Sequence, residues 1–328
     1  MRAGTALRAA LPAAAAIALA LAGAGSGAVQ RVHLPRDHYG HPGAGIEWWY
    51  VSGLARGADG RRYSVFFALF SRAGLLLPVS QVVNLDTGAL VGHSEAFARG
   101  GVATSRLDLS LPGGSLRYRA ATNTWQFAAS GHRYALDLVA RPEKRYVLHG
   151  GGTGAIEQSS AGSSSYYSAT RMAARGTLTS NGRRLAFRGS AWLDHQWGNF
   201  ENDPLAFNWN WFSCRFDDET ELMLYEFHTR TGLPLAQHRT GTFVLRSGRS
   251  RLVSGFGALP GRRVLVAAGR RWPLDWELRI PSERLRVSLR SIVRDQLVRG
   301  ILLPTFWEGA ATATGTKRGV CFVEQSYQ

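Results

Sequence analysis

The sequence predicts an all-β protein, two antiparallel β-barrels in tandem behind a cleavable N-terminal leader. Composition is the first observation. The 328 residues are 45% hydrophobic and 11% aromatic, with Gly 38 and Trp 10 against Met 3, a turn-rich aromatic chain able to bury full cores. Short alternating apolar stretches separated by Gly, Pro, Asn-Gly and Asp-Gly turns are the second, and no segment beyond the leader keeps a 3.6-residue period. The third is an aromatic strand–turn–strand pattern that occurs twice.

Residues 1–28 read as an export signal. Arg2 and Arg8 form a positive start, Leu11 to Ala22 is an apolar Ala/Leu run, and Ser26-Gly27-Ala28 is a small-x-small cleavage site, with Ala22-Gly23-Ala24 as second choice. The run is short for a spanning helix, no Cys follows it for a lipid anchor, and no later segment reads as transmembrane. The expected location is periplasmic or secreted.

The formal charge of +16 remains strongly basic once Arg2 and Arg8 are removed. The arginines are scattered through alternating strand patterns, among them Arg279, Arg284, Arg286 and Arg290, rather than gathered in one run. That distribution, in a chain expected to be exported, argues against a nucleic-acid footprint and suits a solvated surface that favours anionic envelope lipid or polyanions.

After the leader, Asp37-His38-Tyr39-Gly40-His41-Pro42-Gly43 is an irregular lead-in. Its two histidines lack a ligand set at metal spacing, so capping and turn hydrogen bonds are expected and no metal. Ile46–Gly53 is a strand by its aromatic and β-branched content, Asp59-Gly60 supplies a hairpin turn, and Tyr63–Phe70 returns. Short strands follow at Gln81–Asn84, Leu107–Leu109, Leu116–Arg119, Trp125–Ala129 and Tyr134–Val139. Gly150 to Ser165 reads as a Gly/Ser-rich loop, and Tyr166–Arg171 and Ala173–Leu178 as strands before an Asn181-Gly182 turn.

Asn208 to Phe227 echoes Glu47 to Phe70, and Ala191–Trp197 and Gly319–Gln325 occupy equivalent closing positions. The expected units are 33–200 and 201–328, divided at the linker-like Glu201-Asn202-Asp203-Pro204. Cys214 and Cys321 fall on the first and last strands of the second unit, neighbours if that sheet closes, and could pair in an exported chain.

Ala191-Trp192-Leu193-Asp194-His195-Gln196-Trp197-Gly198 concentrates chemistry in eight residues. Alternation puts Trp192, Asp194 and Gln196 on one face and Leu193, His195 and Trp197 on the other. Such a mixture suits a pocket wall, the alternative being a core strand whose Asp and His bond each other.

Asp37-His38 through His41, Glu47-Trp48-Trp49-Tyr50, His93 with Glu95, Ser165-Tyr166-Tyr167-Ser168 with Thr170-Arg171, Trp192 to Gly198, and Phe306-Trp307-Glu308-Gly309-Ala310 occur in that order. In these motifs, over roughly residues 33–328, the chain resembles the AttH-like/carotenoid 1,2-hydratase proteins, which include secreted hydrolase-like members and pericyclases. The resemblance implies two lipocalin-like barrels with a pocket for a hydrophobic ligand, an isoprenoid or lipid. It also implies that His195 and Trp197 match a catalytic His-x-Trp pair of the hydratases. Tyr225 matches the Tyr of a Tyr-x-Asp pair, with Phe227 in place of the Asp.

Adding water to an isolated double bond needs no cofactor, and none is expected. It needs a proton donor, an apolar cavity and aromatic faces for the cation. The expected catalytic set is Asp194, His195, Trp197 and Tyr225. The expected ligand-binding set is Glu47, Trp48, Trp49, Trp192, Trp211, Trp307 and Glu308. Glu47 and Glu308 have an alternative role as buried carboxylates that fix the barrel base. Serine hydrolysis is disfavoured, because His149-Gly150-Gly151-Gly152 resembles an oxyanion loop but no G-x-S-x-G elbow accompanies it. Two functions are therefore expected to compete, acid-initiated hydration of a polyene or non-catalytic carriage of a lipid-like ligand.

Overall fold

The computed structural model describes residues 31–159, 162–199, 208–229 and 233–327. The leader and the Glu201–Pro204 linker lie outside the described residues. Among the described residues two curled antiparallel sheets make up most of the fold, the first built from residues 46–198 and the second from 208–326, with a separate two-stranded ribbon, Val264–Ala267 and Arg270–Pro273. In each, the first and last strands are paired. Ile46–Gly57 runs against Arg183–Gly198, and Asn208–Phe216 against Gly319–Ser326. The expected lipocalin-like tandem is the observed architecture. Each curl opens in mid-sequence, between Leu90–Glu95 and Asp108–Leu111 in the first sheet and between Ser250–Val253 and Gly257–Pro260 in the second.

Strand alternation divides the apolar side chains among three cores. Trp49, Val51, Phe67, Trp125, Tyr167 and Leu193 fill the first curl. Phe212, Leu224, Trp272, Trp276, Trp307 and Val323 fill the second. The opposite faces of the same strands meet in a third core, where Tyr50, Phe66 and Trp192 of one sheet pack on Trp211, Tyr225 and Phe322 of the other. Burying each such side chain contributes roughly 1.5–3 kcal/mol, so docking the two sheets is a core-forming event in its own right. Polar contacts lock it. Glu221 of the second sheet, wholly buried, is bonded by Lys144 at 3.0 Å and Arg171 at 2.7 Å from the first. Glu95 accepts the backbone N–H groups of Ile301 and Leu303 at 2.6 and 2.8 Å.

Two expectations need correction. The Gly150–Ser165 loop is a hairpin, with Ala155–Ser159 pairing the start of a long strand, Gly162–Ser180. The strands expected at Tyr166–Arg171 and Ala173–Leu178 are that one strand, and the break between them is a register shift between Ala169 and Met172. Cys214 and Cys321 are cross-strand partners with Cα atoms 4.0 Å apart and form a disulfide. Among the described residues no helix is long and apolar enough to cross a membrane.

Candidate active site

Arg183–Gly198 is the wall shared by two polar clusters. Its residues alternate as expected, and Asp194 and His195 point to opposite sides of the sheet, so the alternative in which they bond each other is excluded.

Inside the first curl, His195 Nε2 lies 2.8 Å from Glu47 Oε1, and His41 Nδ1 reaches the same oxygen at 2.7 Å. His195 Nδ1 is 3.2 Å from the Tyr167 hydroxyl, which lies 2.6 Å from His38 Nδ1. Trp49 stacks on His195 at 4.3 Å, and Trp197 on His41 at 3.8 Å and 3°. Burial pushes His195 down to about 4 despite the opposing pull of Glu47, so its ring is neutral near pH 7. Burial alone would raise Glu47, but hydrogen bonds from the two histidines outweigh it and keep the carboxylate charged.

Between the sheets the groups are acids. Asp194 Oδ1 accepts the Trp192 indole N–H at 2.7 Å and the Ser168 hydroxyl. Ser168 also meets His149 Nε2 at 2.7 Å, and His149 Nδ1 meets Thr242 of the second sheet at 2.8 Å. Burial pushes Asp194 up to about 7, partly offset by hydrogen bonds from Ser168, Trp192 and Tyr166. Glu308 and Glu324 are directly opposite each other on paired strands. Tyr50 donates its hydroxyl to Glu308 Oε1 at 2.7 Å, and the Trp209 indole donates to Glu324. Glu308 Oε2 is buried away from any N–H or hydroxyl donor, and Glu308 shares a side-chain hydrogen bond with the facing Glu324 carboxyl. Burial first and the Glu324 charge second push Glu308 far above the usual carboxylate range, and burial also raises Glu324. Two carboxylates opposed in a dry core cannot both be ionised, and the oxygen without a donor is where the proton belongs.

The expected catalytic set is therefore divided. His195 and Trp197 face the first curl, whereas Asp194 and Tyr225 face the inter-sheet core. The expected ligand-binding set is spread over three places. Glu47 and Trp49 belong to the first curl, and Trp48, Trp192, Trp211 and Glu308 to the junction. Trp307 fills the second curl, its indole bonded to the Arg294 carbonyl at 3.2 Å. Adjacent residues on one strand cannot line one pocket, which is why Trp48 and Trp49 part. Neither Glu47 nor Glu308 is paired with an arginine among the described residues; the first meets two histidines and the second a tyrosine. Glu226 turns away from Tyr225 as alternation requires and pairs with Arg239 at 3.1 Å.

Four participants were given no such role from sequence. Glu324 becomes visible only through its register with Glu308, Ser168 through its register with Asp194, His149 through its bond to Ser168, and Tyr50 through the docking of the sheets. The metal expectation also changes, since His41, Glu47 and His195 bring their ligand atoms within 4.8 Å of one another. A groove of about 440 Å³ lined by Leu259, Pro260, Asp275 and Trp276 holds none of these groups. At one margin of the junction core, the half-buried aromatics Trp48, Phe70, Trp209 and Phe227 give it an apolar rim.

A model of the AttH-like family matches residues 27–326. The crystal structure of an AttH candidate from Nitrosomonas europaea aligns with a TM-score of 0.83 at 22% identity, covering 94% of this chain and 100% of that one. Kievitone hydratase from Nectria haematococca aligns with a TM-score of 0.77 at 20% identity, covering 92% and 94%. CghA bound to Sch210972 aligns at 0.55 with 10% identity over 87% and 88%. Comparison with curated proteins gives no match.

Proposed function

The chain belongs to the AttH-like family, and from that premise we propose that it is an exported, cofactor-independent hydratase of a hydrophobic isoprenoid or polyene. The observation that carries the reading is Glu308, a buried carboxyl that accepts the Tyr50 hydroxyl, shares a hydrogen bond with the facing Glu324 carboxyl and lies beside aromatic rings. Such a group is a neutral acid near pH 7. Its proton passes to the less substituted alkene carbon, the π pair forming the new C–H bond and leaving a tertiary cation. Tyr50 and Trp211, with ring centroids 5.2 Å apart, offer π faces to that cation. Water adds to it and returns a proton to the Glu308 carboxylate, so the acid is regenerated. Asp194 and Tyr225 line the same junction, and His195 and Trp197 belong to the first curl and hold the wall from behind.

The leader and the Cys214–Cys321 disulfide support export, and the basic surface supports contact with anionic membranes from which such a substrate is drawn. A non-catalytic carrier is the second reading, favoured by Phe227 in the place where the resembling hydratases carry an acid. The test is incubation of the purified mature protein with kievitone and with an acyclic polyene in ¹⁸O-labelled water. Gain of one labelled water by either probe, lost in Glu308→Gln, is the expected result. Binding of the probes, seen by tryptophan quenching, with no addition to either would leave the carrier.

A further inference from the structure

We propose that His41, Glu47 and His195 bind a zinc-class divalent transition-metal ion at the edge of the first curl. Two imidazole nitrogens and a carboxylate oxygen are a donor set for such ions rather than for Ca²⁺ or Mg²⁺. Here His41 Nδ1 and His195 Nε2 converge on the same oxygen, Glu47 Oε1, at 2.7 and 2.8 Å. The other oxygen of Glu47 is held by the His41 backbone N–H at 3.0 Å, which aims Oε1 between the rings.

The far side of each imidazole is also prepared. Without an ion His195 Nε2–H donates to Glu47; a bound ion takes the place of that proton, and His195 Nδ1, which faces the Tyr167 hydroxyl at 3.2 Å, carries the ring N–H instead, the hydroxyl in turn lying 2.6 Å from His38 Nδ1. His41 Nε2 faces Asp37 Oδ1 at 3.8 Å, a carboxylate behind a ligating imidazole. Asp37 is itself fixed by the His33 backbone N–H at 2.6 Å and by Arg36 at 2.8 Å. Trp197 and Trp49 stack on the two rings and set their planes.

A tetrahedral ion with bonds of about 2.0–2.1 Å holds its donors roughly 3.3 Å apart, so the two contacts must each open by about half an ångström. The irregular lead-in provides that freedom. The His41 side chain is 20% exposed and sits outside the paired strands, whereas Glu47 and His195 are 4% and 0% exposed on strands locked in register. An ion therefore enters from the His41 side, where a water completes its coordination, and ties the Asp37–His41 segment to the sheet. Glu308 lies on the opposite side of the wall, so this site and the hydratase reading stand or fall separately.

The experiment is a Co²⁺ titration of the chelator-treated full mature chain, read by visible absorption and native mass spectrometry, followed by Zn²⁺ competition. One ion per chain with a four-coordinate spectrum that Zn²⁺ abolishes is expected. His41→Ala and Glu47→Gln should each weaken binding at least tenfold, and Tyr167→Phe should weaken it less. His41→Ala removes only the edge ligand, so it tests the site even where His195→Ala does not fold. Absence of binding, a six-coordinate spectrum, or affinity unchanged in both His41→Ala and Glu47→Gln would overturn the proposal. The cluster would then be a hydrogen-bonded His–carboxylate–His tie alone.

Discussion

Asp194 and His195 are neighbours in the chain and strangers in the fold. On one side of their strand burial holds the imidazoles of His38 and His195 neutral; on the other it pushes the carboxyls of Asp194 and Glu308 toward the protonated form. The same desolvation acts on both and drives their titrations in opposite directions. Each side also solves its polar problem differently. The imidazole side closes a chain of hydrogen bonds from His41 through Glu47, His195 and Tyr167 to His38, whereas the acid side sets two carboxyls, Glu308 and Glu324, against each other over a shared proton. Ring nitrogens bonded to one charged carboxylate hold structure, and a carboxyl pair that shares a proton keeps one to transfer. That difference argues for reaction at the junction and for binding in the first curl.

The largest expected effect breaks the comparison at its acid. Glu308→Gln keeps the shape and the Tyr50 bond but removes the transferable proton, and a general acid contributes about 10²–10⁴-fold. Hydration of whichever probe is turned over should fall by that factor while the circular dichroism spectrum and urea midpoint stay in place. An unfolded variant would instead assign Glu308 to structure.

The next effect concerns pH. Asp194 is raised from 3.8 to about 7. Below pH 3.8 folded and unfolded chains both hold its proton. Between 3.8 and about 7 only the folded chain holds it, so stability falls as pH rises and is lower by about 4 kcal/mol above that window. His38 is lowered from 6.5 to about 3, so its contribution is intact above 6.5 and is lost as pH falls toward 3. The two windows overlap between pH 3.8 and 6.5, where the slopes oppose each other, so each contribution is read by difference in urea unfolding of metal-free protein across pH 4–8. Asp194→Asn should make stability rise more steeply with pH in that window, and His38→Gln should make it rise less steeply. Variants that shift the slope in the same direction would refute the separation of the two faces.

The two curls offer a coarser contrast, because their seams are closed by different means. The first seam pairs twelve residues of Ile46–Gly57 with Arg183–Gly198, and the second is shorter and carries the disulfide. Linking positions separated by 107 residues constrains the unfolded chain, and removing such a bond costs roughly 2–5 kcal/mol. Cys214→Ala with Cys321→Ala should lower the urea midpoint by that amount. Hydrogen exchange should speed up first in Gly319–Ser326 and last in Arg183–Gly198. Uniform acceleration would mean that the sheets unfold as one unit.

How far the chain could be read follows from the range of each signal. Alternation and turn residues are local, so the strands, the tandem order and the opposite facing of Asp194 and His195 were legible. Register between closing strands followed from the repeat, which is why the Cys214–Cys321 pairing was within reach. The junction was not. Which outward faces become a third core depends on how two finished sheets dock, and nothing near Tyr50 marks it as a partner of Glu308. The seven expected ligand-binding residues do not share one face for a related reason, since Trp48, Trp49 and Trp307 are each apolar and each belong to a different core. The histidine cluster was hidden because its ligands stand at 41, 47 and 195, with no spacing to betray them.

The smallest effect tests the contrast most finely, because it makes the same deletion on both sides. Tyr167→Phe removes the hydroxyl between His38 Nδ1 and His195 Nδ1 and leaves two buried ring nitrogens without it, so it should cost about 1–3 kcal/mol with no change in the pH profile of hydration. Tyr50→Phe removes one donor from a carboxyl that still faces Glu324, and should cost about 1 kcal/mol or less. The Tyr50 hydrogen bond favours the ionised form of Glu308, so its loss should move the alkaline arm of the hydration profile to higher pH. A profile that moves with Tyr167→Phe and not with Tyr50→Phe would reverse the assignment of the two faces and place the proton donor inside the first curl.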